Sequence, residues 1–392
     1  MGEDDYTGNL YQKFPVTVRR GQGAVIWDEN DTEYIDMMGG YGVAIVGHCN
    51  KRVVKAIKEQ VDNIITVHSS LYNKSREKFL DLLSSVAPDG LSGIHLNNSG
   101  AESIEAAIKF ARKFTSKRGV VAMRGSYHGK SMGALSLTFN PKYRRPFAPL
   151  LSDVSFAKFG DTESLDDSIT DDTGMVIVEP VQGESGIHVA PDGFLQHMRR
   201  ICDERDILLV FDEVQAGLGR TGRMWAGSHW DVVPDIMCVA KGMAGGVPMG
   251  ATLTRPDILS CISKGEHSST FGGNPLSCAA GEATFNALLK DGLVQNASSV
   301  GLHIRESLNR MQKSHPLIRD VRGLGLMIGV ELRFEVRDIL HELIKEGVLM
   351  LYSGRNVLRM LPPLVLTKEQ ADTVLYKLEK AIQNEERKRG LM

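Results

Sequence analysis

The chain has 392 residues, 46 Lys plus Arg against 48 Asp plus Glu for a formal net charge of −2, and 42% hydrophobic residues. That near-neutral balance, with no Lys/Arg run, excludes nucleic acid as the main partner, since phosphate binding needs a concentrated positive field. No apolar stretch reaches the ~18 residues of a membrane span, and the opening Met-Gly-Glu-Asp-Asp is too acidic for a signal peptide, so a cytoplasmic protein without membrane contact is expected.

The first ~50 residues are rich in turns, Asp28 and Asp31 among them, and read as an arm or hairpin belonging to a smaller domain. Residues 102–114 carry Ile104, Ala107, Ile108 and Ala111 on one stripe, which predicts a helix. Residues 119–123, 174–181, 207–214, 236–240 and 249–254 are short apolar runs bounded by turn residues, with a helical pattern at 194–205 between two of them. Runs of this kind predict strands buried on both faces, hence an α/β domain with a mostly parallel sheet and helices on either side. A long helix pattern runs from near Pro275 to about Lys290, after which helices alternate with a few strands. Thr367 and Gln370 have the spacing of a reciprocal cap on a final amphipathic helix. Residues 51–290 are expected to form the large domain, with 1–50 and 291–392 making the smaller one. Cysteines 49, 202, 238, 261 and 278 are odd in number and widely spaced, which argues against a disulfide framework or structural zinc; no metal is expected.

Three motifs compete for the chemistry. Asp212 and Glu213 end an apolar run as in a magnesium-holding nucleotide hydrolase, and Gly125-Ser-Tyr-His-Gly129-Lys130-Ser131 looks like a phosphate loop. That loop needs four residues between its glycines and has three. Gly217-Leu-Gly219-Arg-Thr-Gly222 matches the dinucleotide fingerprint, but residues 223–230 lack the amphipathic helix that would face a pyrophosphate, which leaves a tight turn. In the third motif Asp212 closes one buried strand and Lys241 follows the next, 241 − 212 = 29 residues on. Neighbouring parallel strands present such residues at their carboxyl ends, where ligands bind. A lysine that forms a Schiff base and an acid that keeps a pyridine nitrogen protonated suit pyridoxal phosphate (PLP); a cap or a buried ion pair is the alternative for Asp212. Residues 97–102 open a helix with small side chains whose free amides suit a phosphate, although Ser99 and Glu102 can also cap each other. Residues 268–274 offer similar donors before a second helix. Tyr127 and His128 lie just past a strand, where an aromatic can stack on a cofactor ring.

In this order, Asn98-Ser-Gly-Ala-Glu102, Tyr127-His-Gly-Lys-Ser131, Glu179-Pro-Val-Gln-Gly-Glu184, Phe211-Asp-Glu-Val-Gln-Ala-Gly-Leu-Gly-Arg-Thr-Gly222, Lys241-Gly242 and Ser269-Thr-Phe-Gly-Gly-Asn-Pro275 resemble the motifs of the fold-type I, class III PLP-dependent aminotransferases. The resemblance covers almost the whole chain. Gly40-Tyr-Gly42 and Asn356-Val-Leu-Arg-Met-Leu-Pro-Pro363 resemble the acetylornithine branch and relatives whose substrates are tethered to a LysW-type carrier protein. What the resemblance implies is a homodimer with a large PLP domain and a smaller α/β domain made from both termini. It implies Lys241 as the Schiff-base lysine and Asp212 as the partner of the pyridine nitrogen. Val214 packs on the ring face opposite Tyr127, His128 joins the cofactor contacts, and Gln215 reaches the phenolic oxygen. Ser99, Gly100 and Ala101 bind the phosphate together with Thr270 from the other subunit.

In that family an arginine matching Arg359 binds the glutamate α-carboxylate, and a glutamate matching Glu184 pairs with it when an ω-amine is bound; a permanent ion pair is the alternative. The acetylornithine, ornithine and γ-aminobutyrate branches commonly carry arginine after His-Gly to grip the distal carboxylate. This chain has Lys130 there, which keeps the charge but loses the planar fork. The implied reaction moves an amino group between an N-blocked ornithine or lysine, acetylated or LysW-bound, and 2-oxoglutarate, giving a semialdehyde and glutamate, in arginine or lysine biosynthesis. A γ-aminobutyrate or putrescine aminotransferase is the alternative. A PLP decarboxylase or aminomutase, and a non-catalytic PLP-binding module, stand further off.

Overall fold

A computed structural model describes residues 3–391. Seven strands form the central sheet in the spatial order Gly93–Asn97, Gly250–Thr254, Ile236–Val239, Leu208–Asp212, Thr173–Val178, Gly119–Met123 and Val154–Ala157. Gly250–Thr254 runs antiparallel to both neighbours, and the other pairings are parallel. The runs 119–123, 174–178, 208–211 and 236–239 are apolar because alternate residues enter cores on opposite faces. Val120, Ala122, Leu208 and Val210 pack with Ile104, Ala107 and Ala111 of helix Gly100–Thr115. Val121, Met123, Leu209 and Phe211 pack with Phe194, Leu195 and Met198 of helix Phe194–Glu204. Two strands escape the sequence pattern: Gly93–Asn97 carries His95 and Asn97, and Val154–Ala157 is a four-residue edge strand containing Ser155. The run expected at 174–181 stops at Val178. Pro180 has no N–H to extend the ladder, and the chain turns into a separate hairpin of Val181–Gln182 with His188–Val189.

The two ends of the chain share a sheet. Val18–Gln22, Val25–Asp28 and Glu33–Asp36 are antiparallel, and Glu33–Asp36 pairs in parallel with Val348–Leu349. The Asp28 carboxylate closes the hairpin turn by accepting the N–H groups of Asn30 and Thr32, each at 2.9 Å. Ile318–Leu324, Met327–Leu332, Val357–Met360 and Leu351–Ser353 form a further antiparallel sheet in that order. Helix Leu293–Ser314 packs on it, and helix Lys368–Lys388 packs on that helix. The last helix begins with the expected reciprocal cap between Thr367 and Gln370. Among the described residues no helix is long and apolar enough to cross a membrane.

The segment that mimics a dinucleotide loop is a closed turn. Gly222 N–H donates to Gly219 O at 3.0 Å, and the fully buried Arg220 donates to the carbonyls of Leu326 and Pro362. Burial pushes the Arg220 pKa down to about 9, against the pull of Asp36. Gly325, at φ +52°, lies against this turn: a Cβ there would sit 2.4 Å from the carbonyl carbon of Thr221, and a Cβ on Gly301 would sit 2.0 Å from Gly325 O. Three backbones therefore touch with no side chain between them. Gly325→Ala combines left-handed strain with a backbone clash and should lower the unfolding free energy by roughly 3 kcal/mol in urea denaturation. A loss within about 0.5 kcal/mol, as for an ordinary surface change, would mean that the three segments separate at little cost.

Candidate active site

Parallel pairing sets Asp212 opposite Cys238, so Asp212 ends its strand just where the neighbouring strand runs on to Lys241. Lys241 adopts φ +50° and opens the short turn Lys241–Ala244. Left-handed backbone at a lysine is strained, and such strain persists only where packing enforces it. Here Gly242 fits so closely under Ile45 that a Cβ would meet Ile45 Cγ2 at 2.8 Å. Asp212 and Lys241, with Gly100, Ala101, Tyr127, His128, Gly129, Lys130, Glu179, Glu184, Val214 and Gln215, line a cavity of about 230 Å³.

The Asp212 carboxylate is held from two sides. Oδ1 accepts the Val214 N–H at 3.0 Å, and Oδ2 lies 2.7 Å from His128 Nδ1. Burial works against a His128 imidazolium, but the hydrogen bond to Asp212 and its charge outweigh burial, and the His128 pKa is raised. Glu179, also buried, accepts the N–H groups of Tyr127 at 3.1 Å and Gly183 at 3.3 Å. Burial, with the charge of Asp212, lifts Glu179 well above the usual carboxylate range despite His128. Burial likewise lowers the Lys241 pKa, partly opposed by Glu184. Its neutral amine is thus more available than that of an exposed lysine. The Tyr127 hydroxyl is pushed up to about 12, by burial first and by Glu184 and Tyr143 next.

Helix Gly100–Thr115 turns its N-terminus toward this cavity. Ser99 Oγ accepts the Glu102 N–H at 3.2 Å, but the Glu102 carboxylate reaches past Ser99 to the Asn98 N–H at 2.8 Å, so only half of the expected reciprocal cap forms. The amides of Gly100 and Ala101 are first-turn donors without an intrahelical acceptor. A Cβ on Gly100 would meet Val214 Cγ1 at 2.8 Å, and one on Gly129 would meet Ala101 Cβ at 3.0 Å, so glycines keep this rim as bare backbone. Ser99 stands just outside the lining. Ser269 accepts the side-chain amide of Asn98 at 3.1 Å, whereas Thr270 is exposed and away from the cavity of its own chain.

Arg359 is fully buried beside the cavity. Nη1 donates to Glu184 Oε1 at 2.7 Å and to Gly183 O at 3.1 Å, while Nε and Nη2 are buried without partners among the described residues. Burial disfavours the Glu184 charge, but Arg359 and Lys241 more than offset it and hold its pKa below the usual value. The Tyr41 ring centroid lies 5.7 Å from the Arg359 guanidinium, and Gln215 Nε2 donates to Tyr41 O at 3.4 Å. Lys130 is exposed, its Nζ 5.0 Å from the Tyr143 ring centroid. Sequence reasoning did not single out Glu179, Tyr41 or Tyr143. Glu179 opens one of the quoted motifs, as an acid caught between a buried strand and Pro180, and Tyr41 is the centre of Gly40-Tyr-Gly42, but neither was given a role.

These residues fit a flat, phosphorylated aldehyde: a lysine whose charge is disfavoured, a carboxylate locked in place, an aromatic residue on the wall, and a glycine rim that any Cβ would close. A family profile described as aminotransferase class-III matches residues 6–382. The chain is 42% identical to the acetylornithine aminotransferase of Methanopyrus kandleri, over 97% of each chain. It is 43% identical to the LysW-aminoadipate semialdehyde transaminase of Deinococcus radiodurans, over 97% of this chain and 89% of the relative. Among solved structures it is similar to the ornithine aminotransferase of Toxoplasma gondii, at TM-score 0.95 and 30% identity over 99% of this chain and 94% of the other, a structure with partial occupancy of PLP at its active site. The acetylornithine aminotransferase of Elizabethkingia anophelis gives TM-score 0.88 and 29% identity over 97% of both chains.

His128→Asn retains a donor near Nδ1 but not the charge. Because the folded pKa of His128 is raised, its charged pair with Asp212 stabilises the fold fully below about pH 6.5, and the contribution fades as pH rises through the folded value. The stability gap between wild type and His128→Asn, from urea unfolding of cofactor-free protein, should narrow from about pH 6 to about pH 9. A constant gap would mean that the imidazole is neutral throughout.

Proposed function

The chain belongs to the class III aminotransferases and is a PLP-dependent transaminase, and from that premise we propose that it passes the ω-amino group of an N-blocked ornithine or lysine to 2-oxoglutarate. The donor is acetylated or borne by a LysW-type carrier, the products are a semialdehyde and glutamate, and the enzyme works as a cytoplasmic homodimer in arginine or lysine biosynthesis. The names of its relatives support this choice of donor.

Bound PLP supplies an aldehyde that captures amines and a ring that draws electrons from the substrate carbon. In this reading Asp212, oriented by Val214 and His128, receives the ring nitrogen. Tyr127 and Val214 flank the ring, and Gln215 reaches its phenolic oxygen. Ser99, Gly100 and Ala101 take the phosphate with Thr270 from across the homodimer. Lys241 Nζ is the attachment point and the base that takes the proton from the substrate carbon, a role helped by its lowered pKa.

Arg359 carries the reading. A buried guanidinium with Nε and Nη2 unpartnered is costly, at about 1–3 kcal/mol per unsatisfied group. A carboxylate relieves that cost through two parallel hydrogen bonds. Glutamate brings an α-carboxylate to this place. An ω-amine brings none, and Glu184 then keeps Arg359 neutralised. One site can therefore serve an α-amine and an ω-amine. Lys130 is the cation for the distal carboxylate of the donor.

Borohydride reduction of the holoenzyme should fix the chromophore on the peptide containing Lys241; recovery on another lysine would remove that assignment. With 2-oxoglutarate as acceptor, kcat/KM should be higher for acetylornithine or a carrier-bound ω-amine than for γ-aminobutyrate or putrescine. Lys130→Ala should raise KM for carboxylate-bearing donors about tenfold, equivalent to about 1.4 kcal/mol, and Lys130→Arg should preserve or improve their use. A preference for putrescine that ignores Lys130→Ala would replace the biosynthetic assignment with a polyamine one.

A further inference from the structure

Glu184 lies in the turn 183–186 that joins Val181–Gln182 to His188–Val189. Three carbonyls of this turn accept side-chain donors from the C-terminal four-stranded sheet. Arg359 Nη1 donates to Gly183 O at 3.1 Å, Ser353 Oγ donates to Glu184 O, and Arg322 Nε donates to Gly186 O at 2.8 Å. The fourth strand makes room instead, since a Cβ on Gly329 would sit 3.0 Å from Gly186 O. The register explains the convergence. Arg322 pairs with Gly329, Gly329 with Arg359, and Arg359 with Leu351, so these residues form one row across the sheet. Ser353, two residues beyond Leu351, emerges on the same face. Arg322 is itself fixed by Asp320 at 2.7 Å and Glu331 at 2.8 Å.

The turn also ends in strain. Ile187, fully buried, takes φ +61°, a conformation that a β-branched residue adopts only when its surroundings enforce it. The backbone beneath Glu184 is therefore clamped while its side chain pairs with Arg359. We propose that Ser353 and Arg322 are positioning residues that hold this turn so that Glu184 can leave and rejoin Arg359 only by side-chain rotation, and that they thereby set the balance between the ω-amine and glutamate half-reactions. The inference rests on the reading that Glu184 neutralises Arg359 when an ω-amine is bound. With the clamp loosened, Glu184 pairs less well. Arg359 is then freer for the glutamate α-carboxylate, and an ω-amine meets a poorly neutralised cation.

The test is Ser353→Ala, with Ser353→Thr as the conservative variant. Single-turnover half-reactions of the holoenzyme with glutamate and with acetylornithine, or the best ω-amine donor, give the ratio of their kcat/KM values. The ratio should move toward glutamate by about fivefold or more, mainly through a lower KM for glutamate. Amide hydrogen exchange over residues 181–189 of the cofactor-free protein should quicken about tenfold. Ser353→Thr should behave as wild type. A ratio within about twofold of wild type overturns the proposal, even if exchange quickens, because the clamp is then merely structural. A shifted ratio with unchanged exchange overturns it too. If Ser353→Ala does not fold, Arg322→Lys carries the same test, since it keeps a charge for Asp320 and Glu331 but removes the Nε donor. Glu184→Gln separates the two levels. If it leaves the ratio unchanged, the reading of Glu184 fails; if it moves the ratio and Ser353→Ala does not, only the clamp fails.

Discussion

Two parallel strands, Leu208–Asp212 and Ile236–Val239, carry a carboxylate and a lysine 29 residues apart to the same edge of a sheet covered on both faces, and the neighbourhood is built around keeping both groups in a dry place. A buried carboxylate without partners is expensive. His128 and the Val214 N–H supply them, and in doing so they fix where the carboxylate points. The same dryness acts in the opposite sense on Lys241, whose ammonium it disfavours. The same burial therefore makes partners obligatory for the acid and disfavours the charge of the amine.

A second buried charge stands beside the first pair. Arg359 and Glu184 make contact at 2.7 Å, and breaking such a pair by removing one partner is usually far more costly than its net worth to stability. In the proposed reading the pair is exchangeable, since Nε and Nη2 of Arg359 remain for another carboxylate. Exchange requires that one member move and the other stay. Arg359 belongs to the strand Val357–Met360 and is fully buried. Glu184 sits in a turn, and that turn is gripped by the facing sheet.

Much of this was legible in the chain itself. The continuous apolar runs at 119–123 and 207–211 read as strands covered on both faces because period-2 packing into two cores leaves no polar position. The cap at Thr367 needed only its own four residues. The failures share a cause. Gly93–Asn97 reads as polar because it carries His95 and Asn97, and its pairing with the antiparallel Gly250–Thr254 decides that it is a strand. The half-formed cap at Ser99 has the right spacing, but Glu102 turns to the Asn98 amide instead. Glu179 stood in plain view and gained meaning only when Tyr127 and Gly183 brought their N–H groups to it.

The sequence by itself determined the chemical types and their order: a lysine and an acid at the ends of consecutive strands, glycines where backbone must come close, and an arginine before two prolines near the end. It could do so because periodicity, caps and strand ends depend on residues close in the chain. Which nitrogen atoms of Arg359 lack partners, why Arg220 fills a turn that resembles a nucleotide loop, and how Arg322 and Ser353 meet the Glu184 turn were decided only by the tertiary structure. Those contacts join residues more than a hundred positions apart, and their geometry follows from how sheets and helices pack, which no local pattern encodes.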